Sequence, residues 1–257
     1  MISRISAAFS WLALFLSIQS CGGGSSSETA GTRLTLNVLH RQTVVSDASA
    51  SVPAGSRTFS NAEGVSLTLD AAYLVQWSVE LKADCSGSPF ALRGRDVLEF
   101  FFPSANAHAL EAPTRLSVPH IIDLTAADNT PVALGEISPP PGDYCGLQIE
   151  LFPADEDTVG LPADVDMLGK TLYLQGSYSL ADGEPRAFKL VSDKKLAEKG
   201  LLFADNILSF DNDRLSAVKR ITLYYDQWFD GVDFEQLDQP QTTDLILSNI
   251  RRSLQVD

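Results

Sequence analysis

No apolar run in this sequence reaches the roughly 20 residues that a membrane-spanning helix needs, the longest being Ala7 to Ile18. Basic residues are scarce. Lys and Arg number 19 against 33 Asp and Glu, for a net charge of −14, so the positive field that nucleic acid or an anionic bilayer surface demands is missing. Catalytic signatures are missing too. There is no G-x-S-x-G elbow, no glycine loop of the kind that cradles phosphate, and no local sign of a Ser/His/Asp set. No paired acid and base stands out, and the chain is not expected to be an enzyme. Cysteine occurs three times and histidine three times, so few side chains remain that could ligate a transition metal. Internal repeats are absent.

What is present begins at the N-terminus. Arg4 supplies the positive charge of a leader, and Ala7 to Ile18 its apolar stretch, as in a secretory signal read by the Sec pathway. Ile18-Gln19-Ser20-Cys21 looks like a lipobox, in which Cys21 is acylated and becomes the first residue. Gly22 to Ser27 then reads as a flexible Gly/Ser tether. The expected organisation is a signal peptide over 1–20, a lipidated tether over 21–31 and one domain over 32–257. Gly22 lacks the acidic residue of an inner-membrane retention signal, so the expected location is the outer membrane, with the lipid on Cys21 as anchor. Loss of Arg4 makes the mature chain one unit more negative, which suits solubility and is compatible with binding cations or a basic partner. With Cys21 lipidated, Cys85 and Cys145 remain. In an oxidising compartment they are expected to form a disulfide, worth roughly 4 kcal/mol in the chain-entropy model. A Cys-ligated metal site is the weaker reading, because neither has a second cysteine or a histidine at ligand spacing.

Hydropathy patterning points to strands. Val65, Leu67, Leu69, Ala71, Tyr73, Val75, Trp77, Val79 and Leu81 share one parity, with Ser66, Thr68, Asp70, Gln76, Ser78 and Glu80 on the other. That is one long strand, or two broken near Asp70-Ala71, with a single buried face. Leu34, Leu36, Val38 and His40 alternate likewise, as do Leu147, Ile149 and Leu151, then Leu172 with Leu174 and Phe188 with Leu190. The largely apolar run Val97 to Phe102 reads as a strand buried on both faces. Turns are signalled at Asn61 to Gly64, at Pro139 to Gly142, and at Asp182-Gly183, which reads as a hairpin. The fold class is mainly β: an antiparallel β-sandwich with one or two C-terminal helices. Leu215, Val218, Ile221, Tyr225 and Trp228 are spaced as one helix face would be. The β-branched and aromatic residues of Ile221 to Tyr225 also fit a strand; helix is preferred. Leu245, Ile246, Asn249, Ile250 and Leu254 form a second helical face, with Arg251 and Arg252 suited to its C-terminal end.

Several residues are candidates for chemistry. Asp155, Asp157, Gly160 and Asp166 fall near EF-hand positions, but Val159 takes a ligand position, no Glu closes the loop and no helices flank it. A solvated acidic loop is the plainer reading. His40 ends its strand on the core-facing parity, where an imidazole needs a partner for each ring nitrogen: a carbonyl, a carboxylate, a water or a metal. His108 lies among small residues, and His120 precedes Ile121-Ile122. Trp77 is placed on the inner face of the long strand as core packing. An exposed aromatic patch around Tyr224, Tyr225, Trp228 and Phe229 would favour a module that binds protein or glycan.

Taken in order, an early strand ending at His40, Arg57 to Gly64 (RTFSNAEG), Pro139 to Tyr144 (PPPGDY), Leu168 to Leu174 (LGKTLYL) with Gly176, Trp228 to Phe234 (WFDGVDF) and Asn249-Ile250 in a terminal helix resemble the MbnP-like family of exported bacterial copper-binding proteins. The resemblance implies a β-sandwich that binds copper for capture or transfer. It implies His40 as a ligand, His108 as a second by residue type, and Trp228 as the tryptophan oxidised to kynurenine by a di-haem peroxidase-like partner. The chain departs from the family in having no tryptophan close after His40 and in carrying Cys85 with Cys145. The alternative is a β-sandwich lipoprotein without metal, serving as a binding or structural module of the envelope.

Overall fold

In the computed structural model, residues 31–43, 54–83, 112–180, 183–204 and 207–257 are described. Cys21, Cys85, His108, Asp182 and the run Val97 to Phe102 lie outside them. All described residues belong to one compact unit, which begins at Gly31, close to the domain start expected at 32.

The strands form four sheets. The first has the order β15 (Leu254–Val256), β14 (Ser216–Tyr224), β1 (Arg33–Arg41) and β7 (Val132–Ile137). The second runs β11 (Arg186–Ser192), β10 (Leu172–Ser179), β3 (Ser66–Gln76) and β2 (Arg57–Ser60), with β6 (His120–Asp123) also paired to β3. The third runs β12 (Leu196–Leu202), β9 (Gly146–Leu151), β4 (Ser78–Lys82) and β5 (Arg115–Leu116), and β13 (Leu208–Phe210) pairs with β8 (Gly142–Tyr144). Pairing is antiparallel except between β1 and β14, which run parallel with Val38 opposite Ile221 and His40 opposite Leu223. The α-helix among the described residues, α1 (Pro240–Arg252), packs Ile246, Leu247 and Ile250 into the same core as Leu34 and Leu36 of β1, Leu74 of β3, Ile149 of β9 and Leu174 of β10. The mainly β sandwich architecture is thus as the patterning implied. The β10–β11 hairpin also forms where the turn was expected, with Tyr178 opposite Arg186.

The single-face reading of Val65 to Leu81 needs correction. Ala71 lies opposite Gln175 and Leu69 opposite Gly176, which leaves Asp70 as an extra residue. Side chains alternate along a strand, so one inserted residue exchanges the two faces. Before this bulge Leu67 and Leu69 enter the main core; after it Ala72 and Leu74 do. Tyr73 and Val75 then build a second cluster with Ile121, Ala154, Met167 and Tyr173. At Trp77 the chain leaves β3 for β4 and changes sheet. Trp77 is therefore half-buried, with its ring 6.1 Å from Phe152, and is not a core residue.

The preferred helix over Leu215 to Trp228 is replaced by β14. Leu215 and Val218, two residues of its supposed apolar face, are 41% and 60% exposed. Lys219, Ile221 and Leu223, alternating, are buried. Lys219 is accommodated with its Nζ 4.5 Å over the ring of Phe203. A 3-10 turn at Tyr225–Gln227 follows, then another at Phe234–Gln236. The second expected helix is α1, with Pro240 in its first turn and Arg251 and Arg252 in its last.

Candidate functional site

The chemistry of the described residues concentrates where β1 ends. His40 is 1% exposed, and its Nε2 stands 2.9 Å from the carbonyl oxygen of Ala126. A carbonyl only accepts, so Nε2 carries the proton. Nδ1 is left as a buried lone pair with no hydrogen-bond partner. Burial is the main force on this imidazole and lowers its pKa from 6.5; the Ala126 carbonyl and the Asp128 carboxylate act the other way.

Three further side chains complete the cluster. Asp128 has its Oδ1 3.5 Å from His40 Nε2 and 3.8 Å from an Nη of Arg57. Its Oδ2 accepts from the Tyr225 hydroxyl at 3.0 Å. Arg57 is wholly buried, and its Nε donates to Leu124 O at 2.6 Å. The Tyr225 hydroxyl also accepts from Gln42 Nε2 at 3.1 Å. Burial raises the pKa of Asp128 and pushes the Tyr225 hydroxyl far up. Arg57 and Asp128 offset one another's charge, and His40 and Tyr225 are neutral, so the cluster adds no net charge to the interior. The position is set by backbone pairing: Asn129, at φ 59°, donates its N–H to His40 O at 3.0 Å and closes the loop that carries Asp128.

Three of the stretches that carried the family resemblance, 57–64, 228–234 and Asn249, meet beside this cluster. Arg57 supplies its guanidinium, and Phe59 packs edge-on against Tyr225 at 5.3 Å. In the β2–β3 turn, Asn61 Nδ2 donates to Phe229 O at 3.0 Å, and Ala62 N donates to Asp230 Oδ1 at 2.9 Å. Gly231 N reaches back to Glu63 Oε1 at 3.0 Å. Asn249 on α1 donates to Trp228 O and Asp230 O at 3.0 and 2.8 Å. Trp228 is fully buried, with its indole N–H on Ser253 Oγ at 2.9 Å.

The other candidates fall elsewhere. His120 is buried, and its Nδ1 lies 2.9 Å from Val118 O. Tyr224, Tyr225, Trp228 and Phe229 are all buried, so they form no exposed aromatic patch. In the acidic loop, Asp155 Oδ1 accepts from Asp157 N and the Thr158 hydroxyl, and Asp166 accepts from Lys170 and Leu168 N, which lowers the Asp166 pKa. No three His, Cys, Asp or Glu side chains among the described residues are grouped to hold a metal ion. Cys145 donates its backbone N–H to Lys82 O at 2.9 Å, three residues short of Cys85 in the chain. Periodicity gave no sign of Asp128 or Tyr225 as partners of His40; the one available signal was a strand-ending histidine on a buried face, which must find partners somewhere.

No protein-family model, curated protein or solved structure matches this chain, and its function is read from this geometry.

Proposed function

We propose that the protein is a non-enzymatic, lipid-anchored component of the cell envelope that binds copper through Nδ1 of His40. One observation carries the reading: the Nε2 proton is pinned on a backbone carbonyl, while Nδ1 is buried, deprotonated and without a partner. Metal-ligating histidines are held in this way, the second ring nitrogen fixing tautomer and ring orientation. The resemblance offers His108 as the further ligand and Trp228 as the tryptophan modified by a di-haem partner. Bound copper would supply a site for capture and transfer. The outer-membrane location and the Cys21 lipid belong to the same proposal, as does a Cys85–Cys145 disulfide, which the short link from Cys145 to Lys82 supports.

The second reading gives His40 to the fold alone. The observation favouring it is the charge balance of Arg57 and Asp128, which is complete without a metal. A titration of the fragment 22–257 with copper(I) and copper(II) tests both. Stoichiometric binding of either ion that weakens at least tenfold in His40→Ala and in His108→Ala, both still folded by circular dichroism, supports the metal site. Binding no tighter in the parent than in the two variants assigns His40 to the fold. Retention in the membrane fraction, lost in Cys21→Ala, tests the anchor separately.

A further inference from the structure

Four of the exposed large apolar side chains lie on the 153–170 loop or on the segment it bonds to, away from His40 in the sequence. Val118 is 43% exposed, Val159 49%, Leu161 36% and Leu168 45%. Backbone bonds tie loop and segment together. Val159 N donates to Pro119 O and Ile121 N to Val159 O, each at 2.9 Å. At the other end of the loop, Gly169 N donates to Ala154 O at 2.9 Å and Ala154 N to Lys170 O at 3.0 Å. The loop is therefore fixed by strand-like bridges, with its own Ala154 and Met167 buried in the second core cluster beside Ile121 of β6. Its polar side chains are of one sign: residues 153–170 hold Asp155, Glu156, Asp157, Asp164 and Asp166 against Lys170 alone. Exposed apolar side chains on a loop pinned by backbone bonds, bordered in sequence by carboxylates, are complementary to a cationic chain that also carries apolar side chains. An anionic lipid surface is repelled by the same border.

We propose that the 153–170 loop, with Val118 beside it, is a docking surface for a basic segment of a partner protein, whose apolar side chains lie on Val159, Leu161 and Leu168 while its Lys and Arg face the carboxylates. This does not depend on the copper reading. Three synthetic peptides of about ten residues serve as probes against fragment 22–257, whose folded unit starts at Gly31: one alternating Lys and Leu, one alternating Lys and Ser, and one alternating Glu and Leu. The Lys/Leu peptide is expected to bind tightest. Its affinity should fall about tenfold or more in the Val159→Ser/Leu168→Ser variant, and again in Glu156→Gln/Asp164→Asn or at high salt. Both pairs sit on exposed positions and should leave the thermal midpoint unchanged. Equal binding of the Lys/Leu and Lys/Ser peptides reduces the loop to general acidity and overturns the proposal. So does binding of the fragment to phosphatidylcholine vesicles that the Val159→Ser/Leu168→Ser change abolishes, since the apolar side chains would then belong to a lipid surface.

Discussion

Replacing Asp128 with alanine removes the carboxylate that balances Arg57 in the interior. Arg57 keeps its bond to Leu124 O, but its guanidinium, with no solvent exposure, loses the Asp128 carboxylate 3.8 Å away. Breaking a buried pair by removing one member costs about 3–5 kcal/mol, because the remaining charge is less well compensated in the interior. The Tyr225 hydroxyl loses its acceptor as well. For a domain of this size the thermal midpoint should fall by roughly 6–20 °C. The control is Arg57→Met with Asp128→Leu, which removes both charges and should cost much less than Asp128→Ala alone. Urea melts at pH 7.5, followed by tryptophan fluorescence, give both numbers if the slope m is unchanged between variants. A loss below about 1 kcal/mol in Asp128→Ala would refute the account, in which the Asp128 carboxylate is what Arg57 depends on.

Stability should also follow the proton on His40. Its folded pKa lies below 6.5, so the unfolded chain binds the proton first. The contribution of neutral His40 is then full above about pH 6.5 and lost as pH falls below it. Asp128, whose folded pKa is raised, works the other way at lower pH by taking up a proton in the folded state. Urea midpoints at pH 8 and pH 5.5 should separate more for the parent than for His40→Gln; equal separations would mean the imidazole does not titrate differently on folding. Gly176→Ala should cost about 3 kcal/mol or more by thermal melt, because its Cβ would fall on the carbonyl oxygen of Thr68 beside the bulge; a loss within experimental scatter would show that the two strands separate there with little cost. Reduction of the proposed Cys85–Cys145 bond should lower stability by roughly 4 kcal/mol, and peptide mapping without reductant should recover the two cysteines in one fragment.

The strands of this fold were legible where one face is wet. Leu34 to Val38 and Phe188 to Leu190 alternate because β1 and β11 each turn one parity to the core there. The irregularity at Asp70 was half legible: a break near Asp70-Ala71 was among the expectations, but beyond it Ala71, Tyr73 and Val75 are as apolar as Ala72 and Leu74, so the parity that enters the main core could not be told from composition. β14 was mistaken for helix because Leu215 and Val218 extended an apparent three-to-four spacing, although both face solvent. The cation–aromatic stacking that lets Lys219 be buried is a tertiary fact, with no local trace. His40 was singled out correctly as a core-facing imidazole. Its partners come from positions 57, 128 and 225, and nothing in the spacing of those residues connects them.

The parallel ladder between β1 and β14 sets the order in which this chain can assemble. β1 can take β7 on one side once residue 137 has appeared, yet its other edge stays open until residue 216 and beyond are available. A chain delivered N-terminus first therefore holds an apolar strand with one unsatisfied edge through most of its synthesis or passage. Such a chain needs either a holding factor or a sequence poor in competing partners during that interval. A truncation that removes only the last 40 or so residues should leave β1 sticky, and aggregation is the expected fate of that shortened product.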